Sequence, residues 1–579
     1  MRILLLTHAF NSLTQRLHVE LREKGYRVAV EFDINDENNR EAIRLFRPNL
    51  IIAPFLKRRI PDDIWQSHPC FVIHPGIPGD RGPSALDHAI LDDRRFWGVT
   101  VLQATADLDA GPVWAWRTFF MRRATKSSLY RFEVTEAAVK ATLEAIDRFR
   151  NGDYVPISPD QLERAPTGQW QDPVRQRERR IDWVNDDSQT VLRKIRSADG
   201  SPGVLDELAG VPCRLYDACP ETFLRGRPGT LIARRNHAVC KATRDGAVWI
   251  GHIKLEESDA FKLPATHALG KHLSHLPDIG LPFYSVPRHE TWQDIRYREK
   301  GAVGTVSFDF YNGAMCASQC RRLLTAFNFA RNRPTRVIIL IGHGDFWSNG
   351  MDLNLIEAAP SQADQSWRNI NAMDDLCETI IRTTTHLVIA GIQGNAGAGG
   401  CFLALAADLV MARPGIVLNP HYQNMGNLYG SEYWTYLLPK RAGDVEGMAR
   451  VMSNRLPIGT DEAMKLGLVD ATGSADPSQF TEDVKQKAEQ FVSEHVFERL
   501  IRDKQERRLN DERETPLAQY RHHELEQMRL NFYGFDPAYH VARYRFVHDS
   551  PRAWTPLYLA PHRRLDWEVP AAGETRAIA

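Results

Sequence analysis

Residues 73–84 read Ile-His-Pro-Gly-Ile-Pro-Gly-Asp-Arg-Gly-Pro-Ser. An apolar run ends in a histidine, and a loop with three glycines follows. Such a loop lets backbone approach a ligand closely. The run at 71–74 is the fourth of its kind, after residues 2–6, 28–32 and 50–55. Helical spacing separates them. Leu13, Leu17 and Leu21 share one face of residues 11–24, which Gly25 stops, and residues 41–46 form a second helix. Strands alternating with helices predict an α/β fold with a parallel, doubly wound sheet. Its ligands bind outside the carboxyl ends of the strands, which is where His74 lies.

Downstream, residues 98–102 read as a strand, and Ala106-Asp-Leu-Asp-Ala-Gly-Pro-Val113 as a loop. Asp109 precedes a tight glycine turn there and could face His74 as an acid/base pair. On spacing alone, a satisfied structural histidine is the commoner outcome. Pro156, Pro159, Pro166 and Pro173 mark a linker. Residues 179–255 then carry short strands, such as 229–233 and 247–250, and predict a small β-rich domain. Pro264, Pro277, Pro282 and Pro287 mark a second linker. A second α/β module follows, with strands at 303–310, 336–341 and 387–392 and helices at 316–330 and 374–384. From about Thr481 the chain is helical and charged, and residues 501–514 read as a solvated face.

Composition narrows the function. The chain has 579 residues, with 73 Lys+Arg against 73 Asp+Glu. At about 150 residues per domain, three or four domains are expected. No basic excess recruits nucleic acid. Apolar runs fall short of the roughly 20 residues that cross a membrane, and the N-terminus reads as a strand rather than a signal peptide. Eight cysteines without a Cys-x-x-Cys pair argue against a disulfide scaffold or structural zinc site. Cys316 and Cys320 read as a reduced pair on one helix face rather than a metal site. A cytoplasmic enzyme is expected.

The ordered elements His74, Arg81-Gly82, Gly98-Val-Thr100 and Leu108-Asp-Ala-Gly111 closely resemble the 10-formyltetrahydrofolate transferases. Arg180-Ile-Asp-Trp183 and Lys194-Ile-Arg196 look like the opening of that family's C-terminal β domain, so the resemblance covers residues 1 to about 255. It implies 10-formyltetrahydrofolate as formyl donor, bound by Gly79, Arg81, Gly82 and Pro83. It also implies that His74 stabilises or protonates the tetrahedral oxyanion, and that Asp109 relays protons to the folate nitrogen. Val72 departs from the pattern, standing where the family has an asparagine. A lost oxyanion donor costs about 2.7–4 kcal/mol of transition-state stabilisation, so the acceptor should differ from the usual amine.

The second module has two glycine turns. Phe346-Trp-Ser-Asn-Gly-Met-Asp352 lies between a strand and a helix. Ile389-Ala-Gly-Ile-Gln-Gly-Asn-Ala-Gly-Ala-Gly-Gly-Cys401 repeats that order, with Asp408 closing the helix. A glycine turn at a helix start presents unpaired N–H groups, though singly this is ordinary turn chemistry. The pair resembles the crotonase family, the enoyl-CoA hydratase/isomerase superfamily, over about residues 300–490. Gly430–Gly443 and Ala463–Asp470 add to the likeness. The resemblance implies a thioester carbonyl held by the N–H groups of Met351 and Gly399. It further implies coenzyme A as carrier, near Asn349, Gly350, Asp352, Gly397 and Ala398.

That family's hydratases use two glutamates, which fall here at Phe402 and Tyr422. Phenylalanine cannot transfer a proton, and a phenol of pKa about 10 is a poor base, so hydration is not expected. Glu432 is the one acidic residue between Asp408 and Asp444, among Tyr429, Tyr433, Trp434 and Tyr436. It reads either as an acid/base group with a raised pKa or as a first-turn residue complementing a helix dipole. Tyr422 is the stronger candidate site residue. Asn419 and His421 are weaker, and His421 reads more readily as a plain loop histidine.

Formyltransferase followed by crotonase in one chain resembles a family of nickel–iron hydrogenase maturation factors. The resemblance implies formyl transfer from 10-formyltetrahydrofolate to coenzyme A, then decarbonylation of formyl-CoA to carbon monoxide by Tyr422 and Glu432. Hydrogenase maturation proteins are the implied partners, and no metal is. Two alternatives remain: an enzyme that makes or hydrolyses formyl-CoA and releases formate, or a formyltransferase fused to a non-catalytic crotonase-like platform. The expected domains are 1–165 (formyltransferase), 166–270 (its β domain), 271–490 (crotonase-like) and 491–579 (helical extension).

Overall fold

In the computed structural model, which describes residues 1–162 and 168–569, strand β1 (Arg2–Thr7) is buried from Ile3 through Thr7. A strand covered on both faces needs such a continuous apolar run. It is central in a six-stranded sheet with β2 (Arg27–Phe32), β3 (Leu50–Phe55), β4 (Cys70–His74), β5 (Phe96–Gln103) and β6 (Val113–Phe120). The order is β2-β1-β3-β4-β5-β6. The first four strands are parallel, as expected, but β5 runs antiparallel to both of its neighbours, β4 and β6. Only the short helix Ala85–Leu91 separates β4 from β5, and β5 and β6 form a hairpin. The hairpin loop carries Asp109.

The chain divides into two compact units. The first holds Met1–Arg179, Arg196–Gly200 and the described chain from Pro551 on. The last stretch therefore belongs with this first unit rather than with the preceding helices. It docks on β2 through backbone and side chains. Val30 N donates to Leu559 O at 2.8 Å, and Phe32 N to Thr555 Oγ1 at 2.8 Å. Glu31, fully buried, accepts from Thr555 Oγ1 at 2.7 Å, from Arg563 Nε at 2.9 Å and faces His562 Nε2 at 3.0 Å. Trp567 stacks on Phe46. Pro166, one of the linker prolines, and the expected boundary at 165/166 lie outside the described residues.

The second unit, Arg180–Ile195 and Ser201–Ser550, contains an antiparallel sheet and an α/β core. The first sheet has β7 (Val204–Leu208), β8 (Val211–Glu221), β9 (Leu231–Arg235), β10 (Ala238–Ala242), β11 (Ala247–Leu255) and β12 (Leu263–Pro264). The α/β core has β13 (Ile295–Lys300), β14 (Val303–Phe308), β15 (Val337–Gly342), β17 (Leu387–Ile392), β19 (Leu409–Ala412) and β22 (Ala471–Thr472). A smaller sheet holds β16 (Phe346–Ser348), β18 (Asn395–Gly397), β20 (Val417–Asn419) and β21 (Ile458–Gly459). Helix Gln362–Ile381 starts well before the expected residue 374, because Ser361 caps it through the N–H of Asp364. Asp408 does not close helix Gly399–Leu405. Its carboxylate accepts the Val388 N–H at 2.7 Å and pairs with buried Lys504 at 2.6 Å. No helix among the described residues is long and apolar enough to cross a membrane.

Burial works against ionisation of Glu31, but hydrogen bonds from His562, Arg563 and Thr555 outweigh it and hold its pKa below the usual value. Its folded pKa is lowered, so its contribution is complete above the unfolded pKa and is lost as pH falls through the folded value. Glu31→Gln leaves Arg563 with a weakened partner, for a loss of about 3 kcal/mol. The Phe32 amide should then exchange roughly a hundredfold faster at pH 7, and the gap to the unsubstituted protein should narrow progressively as pH falls below the ordinary glutamate pKa of about 4.3. Equal exchange at pH 7 would refute this.

Candidate active sites

Strand β4 ends at His74, whose ring is 4% exposed. Its Nε2 faces Asp80 Oδ2 at 2.8 Å, and its Nδ1 faces Asp109 Oδ2 at 3.4 Å. Nε2 is thus hydrogen-bonded to one carboxylate, and Nδ1 has a second within ion-pair distance. Sequence spacing points to Asp109 and gives no signal for Asp80, although Asp80 lies inside the glycine loop itself. Asp80 is held in turn by Gln171 Nε2 at 2.8 Å.

The loop needs its glycines. A Cβ on Gly76 would strike the His74 ring and the Asp80 carboxylate, and one on Gly82 would strike Gln171 O. Gly79 and Gly82 adopt φ of +85° and +116°, which other residues rarely reach. Arg81 is tied through its backbone to Gln169 and Gln171. Gly82 N donates to Asp109 Oδ2 at 3.3 Å, and Pro83 is exposed. Asp109 itself has φ 53°. Val72, two residues before His74, shares its face of the strand and packs on the apolar cluster of Leu4, Leu6 and Ala104.

The second site forms where three parallel strands end side by side. β16 pairs with β18, and β18 with β20. β16 runs into Asn349-Gly350-Met351, β18 into Ala398-Gly399, and β20 into His421-Tyr422. The two glycine turns therefore adjoin, and a Cβ on Gly350 would lie 3.6 Å from Gly399 N. Among the described residues, the N–H groups of Met351 and Gly399 find no acceptor in the chain. Ala398 takes φ 48°, a strained value for alanine, with its N–H held by Asn419 O at 2.8 Å. Asn349 Nδ2 donates to Asn312 O. Asp352 caps the helix Leu353–Glu357 through Leu355 N, and Gly397 pairs with Asn419.

Tyr422 and Glu432 come together against this turn. The Tyr422 hydroxyl donates to Glu432 Oε2 at 2.6 Å and lies 3.0 Å from Ser431 O. The Tyr422 ring stacks on Phe402 at 5.7 Å. A Cβ on Gly399 would collide with the Glu432 carboxylate, and one on Gly430 with the Tyr422 ring. Burial pushes Glu432 up to about 8, helped by nearby Asp374, and drives the Tyr422 phenol well above its usual value.

Glu432 is neither isolated nor a first-turn dipole residue. It has φ 63° and precedes the cap Tyr433 of helix Trp434–Ala442. Glu524 serves that helix start instead, accepting from Tyr433 N at 2.9 Å and Thr435 N at 2.8 Å. Asp374 accepts Glu432 N at 2.9 Å. Both carboxylates come from distant helices, Gln362–Ile381 and Leu517–Tyr533, and sequence spacing missed them. His421 is buried, and burial, then the Arg455 charge, lowers its pKa to about 4. Cys316 caps a helix start and Cys320 is buried, and the described residues hold no cluster of three metal ligands.

Residues 298–529 match the enoyl-CoA hydratase/isomerase family, and residues 173–267 match the formyl transferase C-terminal domain. Hydrogenase maturation factor HoxX of Bradyrhizobium diazoefficiens is 53% identical over 566 residues, 97% of each chain. The chain belongs to the HoxX/HypX family of hydrogenase maturation factors. A crystal structure of HypX from Aquifex aeolicus, in complex with tetrahydrofolic acid, matches with TM-score 0.95 and 48% identity over 98% of this chain and 100% of that one. Methionyl-tRNA formyltransferase of Kosmotoga olearia is 22% identical over 238 residues, 40% of this chain and 75% of its own. This HoxX/HypX family member thus combines a formyltransferase module with a crotonase-like one.

Gly399→Ala should displace Glu432 and cost about 1–3 kcal/mol by overpacking. Gly344→Ala, where nothing lies within 4 Å, should cost less than about 0.5 kcal/mol. Urea denaturation compares the two, and equal midpoints would show that the carboxylate does not rest on Gly399.

Proposed function

We propose that this HoxX/HypX family member makes carbon monoxide for hydrogenase assembly in two steps, with 10-formyltetrahydrofolate and coenzyme A as substrates. In the first, His74 and Asp109, with Asp80 behind the ring, move protons while the coenzyme A thiol takes the formyl group from the folate. Gly79, Arg81, Gly82 and Pro83 line the folate side. Tetrahydrofolic acid in the Aquifex aeolicus HypX structure supports this assignment. A thiol acceptor also suits Val72, since the amine-transfer asparagine is missing.

In the second step, formyl-CoA is split into carbon monoxide and coenzyme A. The carbon–sulfur bond breaks, and the formyl proton ends on sulfur, so atoms and electrons balance without an oxidant. The N–H groups of Met351 and Gly399 hold the formyl oxygen, beside Asn349, Gly350, Asp352, Gly397 and Ala398. One observation carries the reading: the Tyr422 hydroxyl is bonded to Glu432, whose carboxylate lies against the Gly399 turn, while Phe402 and Tyr422 stand where a hydratase would need two glutamates. With a pKa near 8, Glu432 holds a proton at neutral pH. It can give that proton to the departing sulfur and take back the formyl proton. Tyr422 fixes its orientation. The carbon monoxide becomes an iron ligand of the hydrogenase, and hydrogenase maturation proteins are the partners.

Purified protein with both substrates and a haem-protein trap should yield carbon monoxide, and its absence from folded protein would sink the second step. His74→Ala or Asp109→Asn should abolish folate-dependent product. Tyr422→Phe should spare formyl transfer and slow carbon monoxide release by about a hundredfold. Formate in place of carbon monoxide would indicate a hydrolase, and unchanged output from Tyr422→Phe would remove Tyr422 from the mechanism.

A further inference from the structure

Behind Glu432 lies a buried cluster that the two steps leave unused. Ser431 Oγ is within hydrogen-bond distance of three oxygens: Asp374 Oδ1 and Oδ2, each at 2.9 Å, and Glu524 Oε2 at 3.3 Å. All three belong to carboxyl groups, and Ser431, Asp374 and Glu524 are each fully buried. A serine hydroxyl carries one proton and two lone pairs. One proton cannot make a full hydrogen bond to two separate carboxylate anions, and the unmet oxygen–oxygen contact would be repulsive in a dry site. The contacts are satisfied when one carboxyl is protonated and donates to Ser431, while Ser431 donates to the other.

We propose that Asp374 and Glu524 share a single proton through Ser431, so that the pair carries one negative charge and keeps Glu432 protonated as the acid of the second site. The proposal rests on Glu432 having that role. Asp374 and Glu524 act as positioning residues. Asp374 holds Glu432 N at 2.9 Å, and Glu524 holds Tyr433 N and Thr435 N, so the pair clamps the backbone on both sides of Glu432. That clamp sustains two adjacent left-handed residues, Glu432 and Tyr433, at φ 63° and 61°.

The groups facing Glu432 are Tyr422, Cys320 on helix Ala317–Arg331, Asp374 and Cys377 on helix Gln362–Ile381, and Glu524 on helix Leu517–Tyr533. Arg521 stands 4.0 Å from Asp374 and is shared with Asp375 and Glu378. Glu378 also accepts the Tyr433 hydroxyl. Burial raises Asp374 to about 7 and Glu524 to about 8, in keeping with a retained proton. Interacting acids of this kind titrate as a set.

Infrared pH titration of the full-length protein tests the arrangement, since a buried protonated carboxyl has its own C=O stretch. Asp374→Asn and Glu524→Gln are near-isosteric, and each should remove one protonated-carboxyl signal at pH 7. Each leaves one negative charge, so the titration midpoint of Glu432 should stay within a few tenths of a pH unit. The double variant removes that charge and should lower the midpoint by about one pH unit. The alkaline limb of carbon monoxide release should move with it. No signal loss in either single variant, or a lowered midpoint in both, would mean two ionised carboxylates and overturn the proposal. The Glu432 signal is identified by Glu432→Gln. If that variant still releases carbon monoxide at full rate, the catalytic reading falls, while the single-variant spectra still decide whether the proton is shared.

Discussion

The second site depends on the parallel pairing of three short strands. β16, β18 and β20 are hydrogen-bonded neighbours running in one direction, so their carboxyl ends must lie together. That single fact brings residues near 350, 398 and 422 to one edge without any loop having to reach. The strain at Ala398 and the positive φ at Gly350 follow from turning the chain sharply at that edge. The meeting of the two glycine turns is thus a property of the sheet, and the side chains around them can change while it is kept.

The two sites solve one problem in different ways. Each must hold carboxyl groups away from water without losing control of their protons. At His74 the answer is a ring between two carboxylates, tied down by glycines too small to push them apart. Near Glu432 it is a phenol and a serine on loops and an arginine on helix Leu517–Tyr533. Both depend on close approach, and so on residues that lack a Cβ: Gly76 in the first site, Gly399 in the second.

Much of this was legible in the sequence because it is local. Strand ends, glycine turns, His74, Tyr422 and the loss of a glutamate at Phe402 all lie within short segments of recognisable pattern. Asp80 was hidden in plain view, since a glycine-rich loop draws attention to its backbone. Asp374 and Glu524 were illegible for a different reason. They sit on helices about 60 and 90 positions from Glu432, among many other charges, and nothing in a helical charge pattern tells a solvated carboxylate from a buried one. Lys504 is a further case: it lies in the stretch read as a solvated face, yet it is 5% exposed and bonded to Asp408. The reversal of β5 was missed because strand pattern carries no direction.

The docking of the final stretch on β2 bears on how the protein is made. Thr555 and Phe32, which hydrogen-bond to each other, are 523 residues apart. At roughly 5–20 residues per second of synthesis, the edge of the first sheet waits about half a minute or longer for its cover. Throughout that interval Glu31 is translated but lacks its partners, in a strand whose edge is open. The first module is therefore completed last, and a ribosome that stalls anywhere in the second module leaves the first one unfinished as well.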